Sequence, residues 1–249
     1  MVTRVELEPG YILHRREYRD TSFLLDIWTE QYGRVPLVGR GMRGPKSRFQ
    51  AAQPFQRFLI SWSGRGELGN LSALEPDSPG LRFSGPLAMS GFYINELLTL
   101  FVHKHDPNPM LFTHYENALK ALASQSAGCQ ESDTLIKEQI ILRIFEKRLL
   151  EAIGYGIQFD TEIDSGDEIL EDAWYQYDAG HGFRLVNSAT RNAFHGKNLL
   201  SYGCEALDST SVLSDAKRLM RTVLDYYLGG KVIKSRALRI AMEREKQQR

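Results

Sequence analysis

The chain has 249 residues, 42% apolar and 25% charged, enough for one large soluble domain or two small ones. Its 31 basic residues balance 31 acidic ones, so net charge gives no argument for a polyanionic partner, and any such argument must rest on where the charges lie. Cys129 and Cys204 fall in no CxxC-type spacing, which argues against a disulfide framework or a structural zinc site; the apolar run Leu87 to Val102 is too short to span a bilayer, and MVTRVELEPG does not read as a signal peptide, so a reducing, cytoplasmic setting is expected.

From Glu6 to about Glu75, short alternating apolar runs broken by glycines and charged turns predict strands near Glu6 to His14, Leu24 to Thr29, Arg34 to Gly39, Phe55 to Trp62 and Glu67 to Ala73. Five short strands suggest a small closed barrel, which leaves no exposed sheet edge. The period then changes near residue 80. Gly85-Pro86 reads as a cap and first helical residue, with Leu87, Gly91, Ile94, Leu97, Leu98 and Phe101 on one stripe. Asn108-Pro109 repeats the signal, and Ser132 opens the longest helix, with Ile136, Ile140, Ile144, Leu149 and Ala152 expected to run inward as far as the Gly154 stop. Between 154 and 207 the helical period lapses; Trp174 to Val186 reads as a hairpin, followed by a short helix near Lys197 to Tyr202. Leu213 to Leu228 is helical again, Gly229-Gly230 end it, and Ser235 is expected to cap a last basic helix. The fold class is therefore α+β: residues 1–80 form a barrel domain, and 81–249 a mainly helical domain with an acidic, hairpin-containing segment at 154–207.

Charge is distributed in blocks. Gln31 to Gly66 contains no Asp or Glu, but carries Arg34, Arg40, Arg43, Lys46, Arg48, Arg57 and Arg65, interleaved with Tyr32, Phe49, Phe55, Phe58 and Trp62. Cations beside aromatics suit a surface that neutralises phosphates and stacks bases, so this run is the expected nucleic-acid face, with Phe49 and Trp62 as stacking candidates. Phe55, Phe58 and Trp62 could equally be barrel core. Leu149 to Gly182 is acidic with no Lys or Arg, and the chain turns basic again from Lys217 onward. There Lys217, Arg218, Arg221, Lys231, Lys234 and Arg236 are candidates to extend a DNA path, weighed against ordinary helix-surface charge.

Motifs for other chemistry are incomplete. Gly39-Arg40-Gly41-Met42-Arg43-Gly44 matches GxGxxG, but Pro45 interrupts the helix that must follow, and no carboxylate appears until Glu67 to hold a ribose. The same proline displaces Lys46-Ser47 from P-loop spacing. Asp160, Glu162, Asp164 and Glu171 sit at positions 1, 3, 5 and 12 of an EF-hand loop, yet Gly166 falls at 7 instead of 6. A two-metal nuclease built on these acids lacks a partner constellation. The histidines show no metal spacing and there is no GxSxG, so the expectation is a protein without catalytic residues, metal or cofactor.

The run from Tyr11 to Leu68, together with SGFYINELL at Ser90 to Leu98, LEAIGYGIQF at Leu150 to Phe159 and YYLGGKVIKSRAL at Tyr226 to Leu238, resembles the bacterial recombination mediators of the RecO family across nearly the whole chain. The resemblance implies an N-terminal OB-fold and a C-terminal helical domain. It implies binding of single- and double-stranded DNA, annealing of complementary strands coated with single-strand binding protein (SSB), and, with RecR, help in loading RecA, in a nucleoid-associated cytoplasmic protein. Some members carry a four-cysteine zinc module; the cysteines for it are missing between Gly154 and Tyr202. The family's recognition of the acidic SSB tail requires an apolar pocket rimmed by a cation, for which Arg143, beside Ile144 and Phe145, is the candidate. Two competing expectations remain: an OB-fold adaptor that works through protein contacts alone, and a magnesium-dependent nuclease using the acidic segment.

Overall fold

The computed structural model describes residues 3–42, 53–64, 67–83, 85–125 and 131–247. They fall in two compact units: Met1–Ala127 together with Ile233–Arg249, and Gly128–Val232.

The first unit is built on five strands, β1 (Thr3–Tyr18), β2 (Ser22–Thr29), β3 (Gly33–Gly39), β4 (Arg57–Gly64) and β5 (Gly69–Pro76), closed in the order β1-β2-β3-β5-β4. One strand has to serve two neighbours. Irregularities between Val5 and Glu8 and between Ile12 and His14 bend β1, so that its first part pairs with β4 and its second with β2. β3 and β5 meet in parallel at Leu37↔Gly69 and Val38↔Asn70, the closure of a five-stranded OB-fold barrel. Alternate inward residues fill it: Val5, Ile12, Leu25, Ile27, Val35, Leu37, Met42, Phe58, Ile60, Trp62, Leu71 and Leu74.

Trp62 therefore belongs to the core and not to a stacking surface. It is 6% exposed, with Tyr32 edge-on at 5.2 Å. Trp62→Ala is expected to cost about 3–5 kcal/mol of stability in a urea titration, because the cavity it leaves is lined by rigid strands. Its effect on DNA affinity, measured where the variant is still folded, is expected to be small.

Two helices lie against the outside of the barrel. α1 (Pro86–Phe101) starts at Gly85, whose φ of 38° suits glycine, and α2 (Pro109–Ser124) is capped by Asn108, whose side chain accepts a hydrogen bond from Leu111 N at 2.9 Å. Asn95 ties them to the strands: its Nδ2 donates to Leu13 O (3.1 Å) and its Oδ1 accepts from Tyr115 Oη (2.8 Å). Phe112 and Tyr115 pack on Tyr11 at 5.9 and 5.1 Å, and Phe112 reaches Trp28 at 6.4 Å. The last helix, α6 (Lys234–Gln247), also belongs to this unit. Ser235 is not its cap. The helix begins one residue earlier, and the Glu96 carboxylate of α1 accepts hydrogen bonds from Lys234 N and Ser235 N, both at 2.8 Å, and from Ser235 Oγ at 2.6 Å. An anion at a helix N-terminus satisfies donors that have no partner within the helix.

The second unit contains α3 (Glu131–Ala152), a sheet of β6 (Trp174–Asp178), β7 (Gly182–Val186) and β8 (Ala193–His195) in the order β7-β6-β8, then α4 (Gly196–Gly203) and α5 (Thr210–Leu228). Helix α3 turns inward a face that matches the expected one only in part. Leu142, Phe145, Leu149 and Leu150 are buried, whereas Ile136 is 44% exposed. The buried face also takes in Glu138, Arg143 and Glu146, so a count of apolar residues alone places the stripe wrongly. Ser209 caps α5 by accepting from Val212 N at 3.2 Å, and Gly229 and Gly230, at φ 56° and 91°, end it.

Candidate nucleic-acid interface

Four exposed arginines of the barrel, Arg15, Arg16, Arg19 and Arg40, lie at the end where β1 turns into β2. β1 runs past His14, so the stretch His14-Arg15-Arg16-Glu17-Tyr18-Arg19 is the outer end of a hairpin, with Arg15, Arg16 and Arg19 all exposed. Arg15 stands 5.5 Å from the Phe23 ring centroid and Arg19 5.2 Å from that of Tyr18. Both pairs keep an aromatic beside a guanidinium at the surface. Phe23 is paired across to Gly39, so the exposed Arg40 that follows lies at the same end of the barrel. The turn there has its own geometry. Met42 folds back into the core over Gly39, where an added Cβ would lie 1.9 Å from its Sδ, and Gly41 adopts φ 67°. The described glycines of the GxGxxG run thus serve a tight turn. Arg43, Lys46, Arg48, Phe49 and Arg65 lie outside the described residues.

Other members of the predicted group are committed elsewhere. The Arg34 side chain, 12% exposed, donates to Thr99 O and to Val102 O (2.9 Å), a cation against the last carbonyls of α1, and stands 3.3 Å from Asp26 Oδ1. Burial raises the Asp26 carboxyl above its ordinary range, opposed by Arg34, Lys104 and His14. Arg57 pairs with Asp77 and, at 2.9 Å, with Glu116, which also accepts from Tyr11 Oη. The outer face of β2 and β3, the usual oligonucleotide surface of such barrels, is covered in this region. Trp28 and Arg34 are cross-strand partners on it, and Trp28 is fully buried. His105 N donates to Arg34 O at 3.0 Å, and a Cβ on Gly33 would lie 2.3 Å from Asp106 O. Of the predicted group in the barrel, the described cation that remains exposed is Arg40, at the hairpin end.

Comparison with known proteins agrees with this architecture. Residues 4–79 match the family model described as Recombination protein O N terminal, and residues 84–237 match Recombination protein O C terminal. The chain belongs to the RecO family. It is 41% identical over 239 residues to the DNA repair protein RecO of Methylococcus capsulatus, covering 95% of this chain and 93% of that one. With RecO of Coxiella burnetii it shares 38% identity over 240 residues, 96% and 99% of the two chains. RecO of Actinobacillus pleuropneumoniae serotype 7 is 39% identical over 234 residues, 92% of each. The family is one of DNA repair and recombination proteins.

The second cationic group of this RecO-family chain is divided between its two units. Lys217, Arg218, Arg221 and Lys231 belong to one, Lys234 and Arg236 to the other. Lys217, Arg221, Lys231 and Lys234 are exposed, with Asp225 3.9 Å from Arg221. Arg218 fastens β8 to α5. It donates to Arg191 O (3.0 Å), Ala193 O (2.6 Å) and Asp215 (2.8 Å), and lies 3.8 Å from the Phe194 ring centroid. Arg236 stands 6.0 Å from the Tyr93 ring centroid. Arg143 is 7% exposed, its Nη2 2.6 Å from Glu146 Oε1, and its carbonyl accepts from Tyr202 Oη at 2.8 Å. It is part of a buried ion pair, not an open rim.

The acidic segment is occupied with its own loop. Glu162 accepts from Asp164 N (3.1 Å) and Ser165 N, and hydrogen bonds from the Ser165 side chain and backbone pull its carboxyl down to about 2. Asp164 is bridged by Arg184 at 2.7 Å. Among the described residues no group of three or more His, Cys, Asp or Glu side chains is placed to hold a metal ion, and no helix is long and apolar enough to cross a membrane.

Proposed function

We propose that this RecO-family protein is a recombination mediator that binds single- and double-stranded DNA through the hairpin end of its barrel, anneals complementary strands coated with SSB, and with RecR promotes RecA loading. The observation that carries the reading is the convergence of Arg15, Arg16, Arg19 and Arg40 at one end of the barrel, where the chain leaves for the basic connection holding Arg43, Lys46 and Arg48. Residues 1–80 are read as the DNA-binding domain and 81–249 as the domain that carries partner contacts, including the SSB tail, in the cytoplasm.

Annealing by such a surface requires no covalent chemistry. Two strands repel through their phosphates; a cationic surface that binds both offsets the repulsion while bases find register. Aromatic neighbours such as Phe23 and Tyr18 hold Arg15 and Arg19 near the surface, lowering the entropy lost when phosphate arrives. Annealing of SSB-coated oligonucleotides by purified protein across a salt series tests the reading. The rate is expected to fall steeply with salt, because each neutralised phosphate releases counterion and lowers log affinity by roughly 0.7 to 0.9 per tenfold rise in salt. Absence of annealing at any salt would favour an adaptor acting through protein contacts alone.

A further inference from the structure

The barrel unit carries a second aromatic group, on its helical flank. Phe83 and Phe92 stand 4.7 and 4.9 Å from Phe55 between ring centroids, at 81° and 60° to it. Phe55 is the fixed member: it is 6% exposed and lies against Gly91, where a Cβ would sit 2.9 Å from its ring. On this base Phe92 is 42% exposed and Phe83 half-buried.

A single exposed phenylalanine is ordinary; its surroundings set this one apart. No Asp or Glu occurs between residues 78 and 95, and Arg82, next to Phe83, is exposed. Helix α6 brings two cations to the buried face of α1, with Arg239 Nη1 3.2 Å from Ser90 Oγ and Arg236 6.0 Å from the Tyr93 ring centroid. The next carboxylate along the chain, Glu96, is held by the N-terminus of α6. In the other direction Phe55 follows closely on the basic connection that contains Arg48.

We propose that Phe92 and Phe83, with Arg82 beside them, form a base-stacking site for single-stranded nucleic acid on the helical flank of the barrel unit. The inference rests on the DNA-binding reading above and adds a second contact to it. Aromatic rings accept any base by its π-face, and a neighbouring cation takes the phosphate. A base paired within a duplex has no free face to offer, so the site discriminates single strands from duplex.

The test uses the full chain and an oligonucleotide containing 2-aminopurine, whose fluorescence reports stacking. Phe92→Leu keeps an apolar contact with Phe55 but removes the ring; Phe92→Trp keeps a ring. For Phe92→Leu, single-strand affinity is expected to fall roughly tenfold, with an unchanged salt slope because no cation is lost, unchanged duplex affinity and less quenching of 2-aminopurine at saturation; Phe92→Trp restores both affinity and quenching. Single-strand affinity equal to the unsubstituted protein's, or equal losses for single strand and duplex, would overturn the stacking site while leaving the barrel's DNA binding intact. Absence of salt-dependent binding by the unsubstituted protein would instead overturn the DNA reading itself.

Discussion

Reversal of Arg40, Arg43 and Lys46 to Glu is expected to abolish strand annealing while leaving the protein folded. Arg40 is exposed in the turn after β3, and its substitution removes nothing from the barrel core, which is filled by inward residues of the strands and by Met42. Arg43 and Lys46 continue the same carboxylate-free run. Losing three phosphate contacts should make the dependence of log affinity on log salt shallower by about 2 to 3, and three new negative charges add repulsion. Fluorescence anisotropy across a salt series measures the slope, and a thermal melt reports the fold. An unchanged slope would remove this surface from the DNA path. Loss of annealing together with a lowered melting temperature would mean that the turn supports the barrel.

Locally written features were legible in the sequence. Gly85-Pro86 and Asn108-Pro109 begin helices, Gly229-Gly230 end one, and five alternating runs became the five strands of the barrel. The order of those strands, and the destination of each cation, depend on partners distant in the chain. Arg34 is used by carbonyls at Thr99 and Val102, Arg57 by Asp77 and Glu116, and the start of α6 by Glu96. A run of cations without nearby acid in the sequence thus looked like one surface, although two of its arginines meet their counter-charges only after folding. Conversely, Arg15, Arg16 and Arg19 lie beyond His14, where the first strand was expected to end; Glu17 among them masks the basic character of the hairpin end.

Arg143→Ala is expected to destabilise the second unit by about 3–5 kcal/mol, because it removes the guanidinium 2.6 Å from the carboxylate of Glu146, a residue only 1% exposed. A charge reversal, Arg143→Glu, places two carboxylates in the same buried space and should cost more. Weakened binding of an SSB-tail peptide by either variant would therefore report folding as readily as recognition. The double variant Arg143→Met, Glu146→Leu separates the two. Replacing a buried ion pair by apolar groups of similar volume is often neutral for stability, since both desolvation costs vanish with the attraction they offset. Tyr202 Oη keeps its acceptor, because it bonds to the backbone carbonyl of residue 143 and not to the side chain. Urea denaturation should show the double variant close to the unsubstituted protein in stability. Tail-peptide affinity retained in that background would assign Arg143 to the packing of α3 alone; affinity lost from a stable double variant would make the guanidinium part of the recognition site, exchanging Glu146 for the carboxylate of the tail.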